Sequence, residues 1–392
     1  MDRRRNPFAP GAGTPPPELA GRDDLLERAS VALDRIRNQR GARSFILYGL
    51  RGVGKTVLLS TIWNRAEDEG MIIVAIEAPE NRSLPGILVP ALRASLLRLN
   101  RVKHATEGVT RALRALAGFA KLKVRYADLE VAVDFEPEPG LADSGDLESD
   151  LADLLIAVGQ AAKERKTAVI LAIDEMQYVP EEQLAALISA LHRASQRQLP
   201  ITVVGAGLPQ LLGQMGNAKS YAERLFEFVP IGPLDHEAAR NAIKLPIERE
   251  NESISEAAIV AIISDTEGYP YFLQEWGKHS WDCADASPIE EQDIATAREA
   301  ALAELDASFF RVRFDRLTPA EKRYLRAMAE LGAGPHRSGD VAEILAVKVT
   351  SVAPTRNSLI AKGMIFSPAH GDTAFTVPLF DSFMRRVMPA LD

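Results

Sequence analysis

The sequence predicts an α/β fold: a parallel sheet with interleaved helices, then a purely helical stretch, then three short helices with a hairpin. Three observations carry this. The apolar stretch Ser44–Tyr48 runs into a glycine-rich turn, a helical pattern over Lys55–Glu69 and a second apolar stretch at Met71–Ile76, an order that implies parallel strands. Thr167–Ile173 is a further strand-sized stretch, ending in Asp174-Glu175, and it reads as a buried strand. From His236 to Ser308 only helical spacing persists.

Composition narrows the class. The 392 residues are 46% apolar and 26% charged, the balance of a globular protein and not of a disordered or collagen-like chain. No apolar run approaches the roughly 18 residues of a membrane span, so no membrane partner is expected. The N-terminal arginines precede no apolar segment, unlike a secretory signal. The single cysteine, Cys283, excludes an internal disulfide framework or a multi-cysteine metal cluster. The expected location is cytoplasmic.

Taken in order, residues 1–18 are Pro/Gly-rich and are expected to be extended or disordered. Leu25, Leu26, Ala29, Leu33 and Ile36 keep helical spacing. The sheet core is expected over 19–234, with an insertion at about 84–145. Within it Leu84–Leu99 reads as an amphipathic helix and Leu122–Phe135 alternates as a two-stranded ribbon. Residues 98–125 carry eight Lys/Arg and one Glu, and residues 128–153 carry ten Asp/Glu and no Lys/Arg. Either these halves fold together and neutralise, or the basic half is a surface for a nucleic acid or another partner. The rhythm resumes with helices at Leu147–Lys163 and Glu181–Gln198 and strands at Ile201–Gly205 and Leu225–Val229. Residues 235–308 are expected to form a helical lid.

In residues 309–392, Thr318-Pro319-Ala320-Glu321 offers an N-cap, a proline at N1 and a glutamate at N3. Helices to Leu331, over Ser338–Leu345 and over Thr350–Lys362 precede strands at Met364–Phe366 and Ala374–Val377, the pattern of a winged helix-turn-helix. This tail holds twelve basic and eight acidic residues, while the whole chain has a net charge of −8. An anionic partner and ordinary scatter of surface charge both fit that count.

Chemistry concentrates in Gly49-Leu50-Arg51-Gly52-Val53-Gly54-Lys55-Thr56, which fits G-x-x-x-x-G-K-[ST] between a strand and a helix. The glycines let backbone N–H groups turn around phosphates, and the helix start, with Val57 next in line, adds partial positive charge. Lys55 is expected to reach the β- and γ-phosphates of ATP and the Thr56 hydroxyl to ligate Mg²⁺. A carboxylate at the end of another buried strand completes such a site. Asp174 would hold Mg²⁺ through water, and Glu175 would act as general base on the attacking water.

With Pro17-Glu18-Leu19-Ala20-Gly21-Arg22-Asp23 before this loop and Gly268-Tyr269-Pro270-Tyr271-Phe272-Leu273-Gln274 after it, the chain resembles the AAA+/STAND ATPases, near the archaeal-type and origin-recognition-like members. The resemblance implies a P-loop core of the ASCE type, with an extra strand between the loop strand and the acidic strand. It also implies ATP and Mg²⁺ as cofactors, bound between the sheet domain and the lid. Leu19–Arg22, with Gly21 and Arg22, looks like the segment that closes over adenine, and Pro270 like the lid proline that touches the base. Arg224 stands where this class places an arginine finger acting on a neighbour's nucleotide; a surface arginine paired with Glu223 or Glu227 is the plain alternative. The class shows a polar residue at the end of its fourth strand, and Val204-Gly205-Ala206-Gly207 offers none. Slow ATP hydrolysis is therefore expected, which suits a switch.

Three roles stay open on these residues. One is an ATP-hydrolysing switch that moves lid and winged helix. Another is a nucleotide-gated protein binding double-stranded DNA through residues 309–392, with Ser351, Thr355 and Arg356 on the third helix as contacts. The last is a scaffold that forms a nucleotide-dependent homo-oligomer without DNA.

Overall fold

The computed structural model describes residues 1–78, 80, 82–101, 107–123, 135–369 and 371–391. They divide into a sheet unit, Asp23–Tyr48 with Lys55–Pro230, and a helical unit, Met1–Arg22 with Gly49–Gly54 and Ile231–Asp392.

The sheet unit contains strands β1 (Ser44–Tyr48), β2 (Ile72–Glu77), β3 (Val169–Asp174), β4 (Ile201–Gly207) and β5 (Phe226–Pro230). They stand in the order β2-β3-β4-β1-β5, every pair parallel. The strand β4 thus separates β1 from β3, as the resemblance implies. All residues of β3 and β4 are buried. Successive strand side chains face opposite ways, so both faces of the sheet are covered. The helices are α1 (Asp23–Arg37), α2 (Lys55–Asp68), α3 (Leu84–Arg101), α4 (Glu107–Lys123), α5 (Leu147–Glu164), α6 (Glu181–Gln196), α7 (Leu211–Ala218) and α8 (Ala222–Leu225).

The stretch 84–145 differs from the expected insertion. Leu88, Leu92 and Leu96 of α3 and Val109, Leu113, Leu116 and Phe119 of α4 join the apolar core that also holds β3 and α5. Leu122 of the expected ribbon lies in the last turn of α4, and residues 124–134 lie outside the described residues. Across the charge inversion Arg111 meets Glu138 at 3.9 Å. Both groups are exposed, so this pair contributes about 0–1 kcal/mol. Each buried leucine or phenylalanine contributes about 1.5–3 kcal/mol, so apolar burial seats α4.

The helical unit follows with α9 (His236–Arg249), α10 (Glu256–Thr266), α11 (Pro270–Cys283) and α12 (Glu291–Leu305). A π-helical turn at Asp306–Phe310 continues α12 into α13 (Arg311–Asp315). Next come α14 (Pro319–Leu331), β6 (His336–Arg337), α15 (Ser338–Ile344), α16 (Val349–Ala361), β7 (Ile365–Phe366), β8 (Asp372–Phe375) and α17 (Phe380–Val387). Helices α14–α16 and the β7–β8 hairpin form the winged helix, to which β6 adds a third strand and α17 a final helix. Phe272, Trp276, Phe310, Phe314, Phe380 and Phe383 share one apolar cluster.

The N-terminal arm is extended but not loose. Phe8 is buried, and a Cβ on Gly277 would come within 2.7 Å of its ring. Asn6 Nδ2 donates to Lys278 O at 3.0 Å and Asp282 Oδ1 at 2.9 Å. No helix among the described residues is long and apolar enough to cross a membrane.

The start of α14 is the capping box expected from its sequence. Glu321 N donates to Thr318 Oγ1, and Thr318 N to the Glu321 carboxylate at 2.7 Å. That buried carboxylate also accepts from Ser358 Oγ and Lys362 Nζ, both at 2.7 Å. Burial opposes its ionisation, but the bonds from Lys362, Thr318 and Ser358 outweigh it and hold the carboxyl down at about 2. A depressed carboxyl stabilises the fold above its ordinary 4.5, and that contribution is lost as the pH falls through about 2. Replacing Glu321 by Ala is expected to cost about 2–3 kcal/mol in urea unfolding at pH 7. The gap from wild type should narrow steadily below pH 4.5; a gap that does not change with pH contradicts the assignment.

Candidate functional site

In the sheet unit the chemistry gathers where α2 begins and β3 ends. Lys55 is buried at the first position of α2, and Thr56 follows, exposed. Thr56 Oγ1 donates to Asp174 Oδ2 at 2.7 Å, and Glu175 N donates to Asp174 Oδ1 at 2.8 Å. Val57 lies one residue on, its carbonyl accepting from Ser60 Oγ and Thr61 Oγ1. Glu175 has φ +52° and ψ +37°, a left-handed conformation that non-glycine residues avoid and that clusters at functional sites. A hydroxyl and a carboxylate side by side are hard oxygen donors, suited to Mg²⁺. Among the described residues no three His, Cys, Asp or Glu side chains could hold a metal together. A cation here would therefore be of the kind that keeps water and phosphate oxygens as its other ligands.

In the helical unit the five residues Ile231–Asp235, between β5 and α9, serve as a hub. A Cβ on Gly49 would collide with Ile231 O. Arg22 Nη2 donates to Gly232 O at 2.6 Å. Leu234 N donates to Gly268 O at 2.9 Å. Burial lowers the pKa of the Arg22 guanidinium, and Asp235 opposes the shift. Gly21 takes φ +67°, and a Cβ there would come within 2.6 Å of Ala238 Cβ. Pro270 sits at the start of α11. The loop itself, Gly49 to Gly54 with Leu50 and the buried Val53, is tied down twice. Tyr271 N donates to Gly52 O at 3.1 Å, and Arg51 N donates to Thr376 O, just after β8, at 2.9 Å. Gly52 and Gly54 have φ +82° and +88°, values glycine adopts freely. Three segments named from the sequence, 21–22, 49–54 and 268–270, are thus brought to one hub.

Residues 18–204 match the family described as AAA ATPase domain, and residues 307–384 match a domain of unknown function, DUF8462.

The chain is also similar to the uncharacterized HTH-type transcriptional regulator MJ0774 of Methanocaldococcus jannaschii, 22% identical over 84% of this chain and 79% of that one. Among solved structures it resembles the Walker-type ATPase PABY2304 of Pyrococcus abyssi, with a TM-score of 0.58 at 17% identity over 95% of this chain and 98% of that one. This is a likeness of fold. The Aeropyrum pernix Orc1 protein, solved in complex with DNA, aligns with a TM-score of 0.47 at 14% identity over 97% and 96% of the chains.

Arg224, beyond the matched AAA ATPase segment, is exposed on α8. Among the described residues no ion pair joins it to Glu223 or Glu227. Glu227 instead meets Arg28 and, at 3.6 Å, Arg43. The missing polar residue of β4 has a steric counterpart. A Cβ on Gly205 would strike Met176 Sδ, and one on Gly207 would come within 2.9 Å of Gln177 Oε1. The turn after Glu175 therefore packs over the end of β4. Sequence reading passed over Gln177 because a glutamine inside an acidic turn carries no motif; its distance of two residues from Glu175 was the available signal.

Burial raises the pKa of the Asp174 carboxyl above the ordinary 3.8, outweighing the bonds from Thr56 and the Glu175 N–H; Glu175 adds to the rise and Lys55 opposes it. A raised carboxyl stabilises the fold below its ordinary value and loses that contribution as pH rises through the folded value. At pH 7 without ligands the ionised group therefore burdens the fold. Asp174→Asn is expected to melt at a higher temperature than wild type at pH 7, the difference closing toward pH 3.8. A lower melting temperature in a Mg²⁺-free thermal scan at pH 7 refutes this.

Proposed function

We propose that this chain is an ATP-binding and ATP-hydrolysing molecular switch of AAA+/STAND type. The observation that carries the reading is the 2.7 Å bond between Thr56 and Asp174, at the head of the helix that follows the glycine loop. Gly49–Gly54 would present backbone N–H groups to the phosphates, and Lys55 would neutralise the β- and γ-phosphoryl oxygens. Thr56 and Asp174 would hold Mg²⁺, which supplies charge neutralisation between the phosphates. Glu175 would take a proton from the attacking water. Gly21, Arg22 and Pro270 would border the adenine, and Arg224 would serve a neighbouring copy in a nucleotide-dependent homo-oligomer. Coupling is supported by the loop's own bonds, since its backbone is tied to Tyr271 of the lid and to Thr376 of the winged helix.

Glu175→Gln is expected to bind Mg-ATP with unchanged affinity and to lose about 10²- to 10⁴-fold in kcat. Unchanged turnover removes Glu175 as the base.

A second reading, nucleotide-gated binding of double-stranded DNA, is favoured by the likeness to a protein named as an HTH-type regulator. Arg356 is committed to Ser367 Oγ and Asp372 O, and Lys362 to Glu321. Lys348, Thr350 and Ser351 at the start of α16 are exposed. On this reading Lys348→Ala in the full chain lowers the slope of log affinity against log salt by about 1. No salt-dependent retention of duplex DNA at low salt leaves the switch reading alone.

A further inference from the structure

The turn after β3 holds a buried amide that the reaction described above does not use. Gln177 is 6% exposed. Its Oε1 accepts the N–H of Leu208, the residue after β4, at 3.0 Å. A backbone N–H can only donate, so the amide oxygen must face it. The amide cannot flip without leaving that buried donor unpaired. Its Nε2 is therefore fixed as the donor on the opposite side, and there it bonds to Glu175 Oε2. The backbone is held as well, since Gln214 Nε2 donates to Gln177 O at 3.2 Å. The left-handed turn at Glu175 directs the chain so that a side chain two residues on returns to its carboxylate.

We infer that Gln177 is the positioning residue for Glu175, performing from the turn after β3 the task that the polar residue missing from the end of β4 would otherwise perform. The glycines at 205 and 207 belong to the same device. A Cβ at 207 would come within 2.9 Å of Gln177 Oε1, so a polar side chain there and Gln177 in its present place exclude each other. The amide fixes the direction of the Glu175 carboxylate. A water polarised by Glu175 is then held in one orientation toward the phosphorus it attacks. The inference rests on Glu175 being the general base.

The test compares Gln177→Glu and Gln177→Met with Glu175→Gln and the double variant Glu175→Gln/Gln177→Met, all in the full chain. Gln177→Glu keeps an acceptor for Leu208 N–H, which protects the fold, but removes the donor. Both single variants at 177 are expected to lose about 10- to 100-fold in kcat, with the dissociation constant of a fluorescent ATP analogue unchanged. The double variant should be no slower than Glu175→Gln alone, because the two side chains act as a unit. Wild-type kcat in both variants or additive losses in the double variant would each overturn the role of Gln177. Full turnover in Glu175→Gln would overturn the base assignment instead, a separate result.

Discussion

The hydrogen bond from Thr56 to Asp174 ties together residues 118 positions apart. It depends on parallel strands. In a parallel sheet the C-terminal ends of all strands share one edge, so the chain leaving β1 toward α2 and the acidic end of β3 face the same side. With β4 between β1 and β3, there is room for a cluster of side chains at that edge. A hydrogen bond to a charged group contributes about 1.5–3 kcal/mol. Asp174 is buried, and that burial raises its pKa against this bond. The site is thus a place where the fold carries an electrostatic burden that a bound cation would relieve.

The helical unit solves a different problem with backbone atoms. Ile231–Asp235 touches Gly49, Arg22 and Gly268 through its carbonyls and one N–H. Such contacts are indifferent to side-chain identity on the hub but strict about glycine at positions 49 and 268, where a Cβ would meet Ile231 O and Leu234 O. The aromatic side chains then extend the packing. Tyr271 stacks on Phe309 with ring centroids 4.7 Å apart, and Phe310 stacks on Phe383 at 5.2 Å. The residue whose N–H holds Gly52 is therefore packed against the π-helical turn that leads into the winged helix. Close-packed interiors transmit strain, and here the packing runs from Tyr271 through Phe309 and Phe310 to Phe383.

Charge counts mislead in the tail. Its basic excess implies available cations, but most are spent internally. Arg311 meets Asp315, Arg326 meets Glu330, Lys362 meets Glu321, Arg385 meets Asp381 and Arg386 meets Asp306, while Arg313 and Lys322 lie over the Phe309 and Phe314 rings and Arg356 bonds to Ser367. Among the described residues, Arg323, Arg337 and Lys348 are held by no ion pair. An anionic partner would meet those three and the hydroxyls at the start of α16, a smaller footprint than the composition suggests.

Local chemistry was legible in the sequence wherever a short pattern has one physical outcome. The glycine loop, the apolar strand ending in Asp174-Glu175 and the capping box at Thr318 all follow from spacing within a few residues. What depends on distant partners was not legible. Helix α4 lacked a strand-or-helix decision until α3 and α5 supplied an apolar surface for it. The arm at residues 1–18 reads as loose until Gly277 opens a seat for Phe8. Gln177 has no meaning until Gly207 and Leu208 are laid beside it. Residue order determined which groups exist and which turns they can make; tertiary packing decided which of them meet, and at the site the parallel sheet did so, because strand order, not sequence distance, sets what lies at its edge.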